Sequence, residues 1–187
     1  KYAGRAAGIV TQLAGIPGAS DGRVIGTSPI SSEFLSGTLK QFAGAYRHYH
    51  ACLMRTIPIG RVPDRQREMH DVAVDALFAC EDALRPGRPI GEVFDAYARV
   101  CDEAGYRAHR MNATGYRLGT NYAPNWMDWP MFYHGNPEPA APGMVFFIHI
   151  IIFDSEAGLA MTHGRTSLVT ESGSEPLSTA NVALVVK

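Results

Sequence analysis

The sequence predicts an α+β fold built on an antiparallel sheet. Apolar runs typical of strands occur in the first third and the last third of the chain, and two helical segments lie between them. The strands of the last third follow one another through short turns, which is the pattern of antiparallel hairpins. A chain of 187 residues is long enough for one domain with a sizeable core.

The earliest elements are a predicted helix over residues 3–15 and a short strand in the segment RVIGTS. Residues 38–60 are rich in Tyr, Phe, Leu and Ile and predict two strands or one long bent strand. The segment that follows, from Asp64 to Pro86, is the clearest helix, with Asp64 as its expected N-cap. A second helix is predicted within residues 89–106, with Gly105 ending it.

A long irregular stretch is predicted from Met111 to Pro142, and it contains both tryptophans and several prolines. A loop of this length inside a compact domain usually carries function. Two long strands are then predicted over 143–153 and 158–171, joined by the turn DSEAG. The segment TESGSEPLS predicts a further turn, and NVALVVK at residues 181–187 predicts a last short strand.

Composition excludes several classes of function. Formal net charge is −1, so no excess of positive charge favours nucleic acid or an acidic membrane. The longest apolar run is too short to span a bilayer. The three cysteines are too few and too far apart for a disulfide framework or a structural zinc site. We therefore expect a cytoplasmic protein that contacts neither nucleic acid nor membrane.

Five segments, taken in their order along the chain, carry a resemblance to a known superfamily. They are GTLKQFAGAYRHYHACLMRTIPIG, the two helices, GYRLG, PGMVFFIHI and GRTSLVTESGSEPLS. Together they resemble the creatinase, aminopeptidase P and methionine aminopeptidase superfamily over residues 20–180. This resemblance implies the pita-bread fold, a curved antiparallel sheet flanked by helices. We expect residues 1–187 to form its catalytic domain, as the C-terminal part of a longer chain with an N-terminal domain, and to form a homodimer.

The metallopeptidases of this superfamily bind two metal ions through two Asp, one His and two Glu side chains. The resemblance places these five positions on Gln41, Cys52, Tyr116, His149 and Gly164. No carboxylate remains among them, and such a set is a poor match for hard divalent cations. We therefore expect a protein without a two-metal centre and without any other cofactor.

The segment GYRLGTNYAPNW resembles ectoine hydrolases and related ring-opening enzymes of the superfamily more specifically. This resemblance implies a metal-independent hydrolase that acts on a C–N bond of a small amino-acid-derived or cyclic amidine substrate. Elimination or isomerisation are alternatives that a lone base supports. A further alternative is a catalytically inactive domain that binds a ligand or a protein partner.

Four side chains are the candidate catalytic residues. His149, alone among apolar residues in VFFIHIIIF, can act as a general base or can be a core histidine with a satisfied hydrogen bond. Tyr116 can donate to an oxyanion or simply pack, and Cys52 can be a nucleophile or a small buried apolar residue. Gln41 occupies the first ligand position, and we expect all four residues to meet in one pocket.

Four more residues are candidates for binding the substrate. The long loop supplies Tyr122, Trp126 and Trp129, and its aromatic rings can enclose a small zwitterion or cation, or can pack over the sheet. We expect Trp126 or Trp129 to border the pocket. His163 precedes Gly164 and is the fourth candidate, although the alternation of a strand turns neighbouring side chains to opposite faces.

Overall fold

The computed structural model describes residues 37–122 and 125–187, with the backbone alone at 37–42. The predicted helix over 3–15 and the strand RVIGTS lie outside the described residues. Within these limits the chain forms one sheet and two helices, and the α+β prediction is confirmed. Its elements, in chain order, are β1 (Gly37–Tyr46), β2 (Tyr49–Pro58), α1 (Asp64–Ala83), α2 (Gly91–Glu103), β3 (Gly115–Leu118), β4 (Met127–Met131), β5 (Val145–Asp154), β6 (Leu159–Val169) and β7 (Ser174–Pro176).

The strands lie in the order β1-β2-β6-β5-β3-β4, and β7 pairs with β6. Every pairing is antiparallel. Residues 38–60 form two strands joined by the two-residue turn Arg47-His48, in which both residues have positive φ. Turns with positive φ at both central positions match the twist of paired strands, so this turn fixes the β1–β2 register.

The two helices cover one face of the sheet. α1 begins at Asp64 itself, with Pro63 as the N-cap, and α2 ends where Gly105 adopts a φ of +82°. The Tyr106 N–H donates to the Cys101 carbonyl and the Gly105 N–H to the Asp102 carbonyl, which is a Schellman ending. Neither helix of the described chain is long and apolar enough to cross a membrane.

The main core lies between the helices and the sheet. Alternate residues of β5 point toward the helices, and they pack there against side chains of α1 and α2; the largest of these core residues are Phe146, Ile148, Ile150, Ile152, Met69, Leu77, Leu84 and Tyr97. A buried ion pair crosses this layer, since Arg165 on β6 donates twice to the Glu81 carboxylate on α1, each time at 2.6 Å. The face of the sheet that meets the helices therefore carries the main hydrophobic core and its buried ion pair.

Besides the N-cap of α1, which is Pro63 and not Asp64, three predictions of local structure were wrong. The stretch 111–142 is not structureless, because it contains β3 and β4; these strands are short, and the register shifts between Tyr116 and Arg117. The predicted turn TESGSEPLS contains β7. The segment 181–187 forms no strand, and two backbone hydrogen bonds of Lys187, with Gly60 and Pro58, hold its end.

Candidate active site

The sheet face opposite the helices carries a row of residues that crosses four strands. Gln41 on β1 lies opposite Met54 on β2, and Met54 lies opposite Gly164 on β6. Gly164 in turn lies opposite His149 on β5. Directly paired residues of an antiparallel sheet share a face, so three of the five superfamily ligand positions fall in one row. For Gln41 only this register position is described.

A second row runs beside the first and contains the other two positions. Cys52 pairs with Ala43, and Phe147 pairs with both Thr166 and Tyr116. The Thr166 hydroxyl links β6 to β2, because it accepts from the Cys52 N–H at 2.7 Å and donates to the Cys52 carbonyl at 2.9 Å. The structure thus brings Cys52, Tyr116 and His149 together on one face, although they are far apart in the sequence.

Among the described residues, His149 does not have the satisfied hydrogen bonds of a core histidine. Its ring lies beside two aromatic rings, 5.5 Å from Tyr116 and 5.7 Å from Phe147 between centroids. Its Nδ1 is buried and has no hydrogen-bond partner among the described residues. Burial lowers the pKa of His149 to about 4, because the imidazolium would lose its hydration. The ring is therefore neutral near pH 7.

Cys52 matches the description of a small buried apolar residue. It packs with Met54, Tyr116 and Phe147 in the apolar cluster of this face. Burial raises the pKa of the Cys52 thiol well above its ordinary value. A thiol that stays protonated is a poor nucleophile, so the environment disfavours a nucleophilic role.

Trp126 borders the site and Trp129 does not. The indole Nε1–H of Trp126 donates to the Tyr116 hydroxyl oxygen at 2.9 Å, and its ring packs against the apolar cluster. Trp129 is 60% exposed, and its ring lies 5.9 Å from that of Tyr133. Tyr122 packs at another position, against the ring of His50. The three aromatic residues therefore do not form one cage around a single point.

His163 is corrected as a substrate-binding candidate, because it lies on the helix side of the sheet. It pairs with Ile150, a member of the main core, and it is buried. Its Nδ1 accepts from the Arg55 guanidinium at 3.2 Å, and its Nε2 donates to the Val182 carbonyl at 3.2 Å. Burial, followed by the charge of Arg55, lowers the pKa of His163 to about 3. Both ring nitrogens are occupied by structural hydrogen bonds.

His50 is a residue of this face that is not among the eight candidates chosen from the sequence. It precedes Cys52 and Met54 on β2 at the same strand period, and it is 1% exposed. Its Nε2 is buried and unpartnered within the described chain. His50 could have been identified from the two-residue turn at 47–48, because that turn determines which residues of β1 and β2 share a face.

The donor set of this face does not fit the two metal ions of the superfamily. A Cβ atom at Gly164 would lie 2.8 Å from the Ile148 carbonyl oxygen and 3.0 Å from Cζ of Phe147, so no side chain fits there without a shift. Over 37–122 and 125–187, no three His, Cys, Asp or Glu residues are arranged to hold a metal ion. Neutral Cys52 and His149 offer a hard cation no charge.

Comparisons with known proteins identify relatives of this chain. Among curated proteins, the ectoine hydrolase of Halomonas elongata is 28% identical over 152 residues, which are 81% of this chain and 37% of that protein. The Xaa-Pro dipeptidase of Pyrococcus furiosus is 26% identical over 133 residues, 71% of this chain and 37% of that protein. This chain thus spans little more than a third of the length of these relatives.

The fold is shared with solved structures of the same group. The X-Pro aminopeptidase from Thermotoga maritima MSB8 matches with a TM-score of 0.74 at 20% identity, over 81% of this chain and 42% of that one. The model of metallopeptidase family M24 matches residues 38–171, which is well over half of the sequence. The chain therefore belongs to metallopeptidase family M24, within the creatinase and aminopeptidase P superfamily of pita-bread proteins.

Proposed function

We propose that this chain carries the active site of a metal-independent hydrolase that cleaves a C–N bond of a small amino-acid-derived or cyclic amidine compound. The observation that carries the proposal is the state of His149. The imidazole of His149 is neutral, its buried Nδ1 has no hydrogen-bond partner in the described chain, and it lies in the row that holds three of the superfamily's ligand positions. Such a nitrogen is available to exchange a proton with a bound molecule.

His149 acts in this proposal first as a base and then as an acid. It accepts a proton from a water molecule whose oxygen forms a bond to the carbon of the C–N unit. The imidazolium then returns that proton to the nitrogen as the C–N bond breaks. Because burial holds the pKa of His149 at about 4, the base is in its active form throughout the neutral range.

Tyr116 supplies polarity in an otherwise apolar surround. Its ring contacts that of His149, and its hydroxyl oxygen accepts the indole N–H of Trp126. A hydroxyl that accepts one hydrogen bond is oriented and becomes a stronger donor. We assign it to the oxygen on which negative charge develops as water adds. Gln41 remains a candidate from its register position in the row of His149.

The choice of bond rests on the relatives together with the donor set. The ectoine hydrolase relative is named for a cyclic amidine, and the dipeptidase relative for a peptide. The dipeptidases of the superfamily rely on carboxylate ligands for two metal ions, and the corresponding positions here carry none. This difference favours the ring-opening relatives as a guide to the substrate.

A second candidate function is a binding domain without catalysis. The observation that favours it is packing, because Cys52, Met54 and Phe147 are buried on the face where an open site is expected. In that case the domain binds a ligand or a protein partner and His149 has no proton to transfer. The two candidates differ in turnover rather than in binding.

The test is turnover by the purified chain with ectoine and with the dipeptide Ala-Pro as substrates. We expect ring opening of ectoine, or of a related cyclic amidine, that is unchanged by chelator and by added Mn²⁺. His149→Gln should lower the rate by about 10²–10⁴-fold. His134→Gln is the control, because His134 is an exposed imidazole paired with Asp95. Full activity of His149→Gln, or two metal ions per chain by elemental analysis, refutes the proposal; binding without turnover supports the second candidate.

A further inference from the structure

Three buried side-chain atoms have no hydrogen-bond partner in the part of the chain that the structure describes. They are Nδ1 of His149, Nε2 of His50 and Oε1 of Gln66. Gln66 belongs to α1, on the helix side, whereas both imidazoles belong to the opposite face of the sheet. Folded proteins retain few such groups, and each one calls for an explanation such as a bound ligand or water. His149 has its explanation in the proposed reaction, and His50 does not.

The hydrogen bonds of His50 determine which ring nitrogen carries its proton. The backbone N–H of His50 donates to the Gly119 carbonyl at 3.2 Å, and ring Nδ1 lies 3.4 Å from the same oxygen. A carbonyl oxygen only accepts, so Nδ1 holds the hydrogen and Nε2 keeps its lone pair. The unpartnered atom is therefore an acceptor that requires an N–H or O–H donor.

A partly exposed aromatic ring packs against the ring of His50. The ring of Tyr122 lies 4.5 Å from that of His50, tilted by 60°. Tyr122 is 41% exposed, whereas His50 is 1% exposed. The Tyr122 ring offers an aromatic face beside His50. Such a face attracts a cation.

The position of His50 connects it to the proposed active site. It lies two residues before Cys52 on the same face, and its partner Gly119 directly follows Leu118, which packs with Tyr116 in the apolar cluster. His50 and the residues of the proposed active site therefore share one face of the sheet.

We propose that Nε2 of His50 accepts an N–H from the substrate while Tyr122 packs against the same group, so that the site selects small molecules with an amidinium or ammonium end. This inference rests on the proposed function and deepens it by naming the group that is recognised. It makes His50 a binding residue, separate from the residues that transfer protons.

Two probes and a pair of variants test the proposal by calorimetric titration of the full chain. The first probe is the protonated cyclic amidine 1,4,5,6-tetrahydropyrimidine, and the second is its 1,3-dimethyl analogue, which has the same charge and no N–H. His50→Asn keeps a donor near the position of Nδ1 and deletes the acceptor, whereas His50→Gln places an oxygen near Nε2. We expect the dimethyl analogue and His50→Asn each to weaken binding by about tenfold, which is the effect of one charge-assisted hydrogen bond.

The controls separate this proposal from the proposed function. His50→Gln should bind within about threefold of the parent, and His134→Asn should bind as the parent does, because His134 is exposed and its imidazole pairs with Asp95 on α2. The same series is repeated in His149→Gln, which cannot transfer a proton. Suppose that the dimethyl analogue and His50→Asn each weaken binding tenfold in the His149→Gln background while the parent shows no turnover. This result refutes the proposed hydrolase and supports the binding role of His50. Turnover by the parent with unchanged KM and binding in His50→Asn overturns the His50 proposal, as does failure of the parent to bind the first probe.

Discussion

Replacing His149 by Gln should change how the stability of the protein depends on pH. Burial lowers the pKa of His149 from 6.5 to about 4, so the unfolded chain takes up this proton before the folded protein does. The contribution to stability is therefore complete above the unfolded pKa near 6.5. It decreases as the pH falls from there and reaches its lowest value once the folded ring is protonated, near pH 4.

The pKa shift sets the size of the effect. Each unit of pKa difference corresponds to about 1.4 kcal/mol, so the wild-type protein should lose about 2 kcal/mol between pH 7 and pH 4.5 through this group. Gln does not titrate and loses none of it. The pKa of His163 is also lowered, but His163 is present in both proteins and its effect cancels in their difference.

Equilibrium urea denaturation at the two pH values measures this difference. At pH 7 the two proteins should be similarly stable, because Nδ1 of His149 makes no hydrogen bond to any described residue that the substitution would break. At pH 4.5 His149→Gln should be more stable than the wild type by about 2 kcal/mol. His134→Gln, at an exposed position, should follow the wild type. Identical pH dependence of His149→Gln and wild type would show that the ring is solvated, and would remove the basis for its role as a shielded base.

Three further substitutions, at Gly164, Glu81 and Trp126, test the packing on both faces of the sheet. Gly164→Ala should destabilise the protein by about 1–3 kcal/mol in urea denaturation, because its Cβ would meet a backbone carbonyl at 2.8 Å. A parent-like value there would show that the face has room to open. Glu81→Gln should cost about 3–5 kcal/mol in the same assay because it leaves a buried arginine without its counter-charge, whereas the exposed neighbour substitution Asp82→Asn should cost well under 1 kcal/mol. Trp126→Phe should cost about 1 kcal/mol by removing the hydrogen bond to Tyr116, and an unchanged midpoint would indicate that this bond is not formed in solution.

The long elements of the fold could be predicted from the sequence because their signals are local. β5, β6 and α1 have ten, eleven and twenty residues, and the apolar run of β5 and the helical period of α1 are both visible in the local sequence. β3 and β4 have four and five residues and a shifted register, so their hydrogen bonds depend on neighbours distant in sequence. The C-terminal segment has strand-like composition, yet the structure holds it by side chains such as His163 and by its last backbone groups.

The sequence predicted where the candidate site lies better than it predicted the chemical state of its side chains. Superfamily order located Cys52, Tyr116 and His149, and the strand registers place them on one face. The environment of each residue was not accessible from sequence, since the raised pKa of Cys52 and the lowered pKa of His149 both follow from burial by distant segments. His50 was not chosen as a candidate, because its face depends on the geometry of one tight turn.

The close packing of Phe147 against Gly164 determines which substitutions could create a metal site on this face. Restoring a glutamate at position 164 requires space that the Phe147 ring and the Ile148 carbonyl now occupy. The first step toward a metal centre would therefore lower stability before any ion could bind and offset the loss. A designer would have to reshape Phe147 and introduce several ligands together, since no intermediate with one or two of them gains from metal. The packing of Phe147 and the Ile148 carbonyl against Gly164 therefore works against two metal ions at this face, in addition to the loss of the carboxylates.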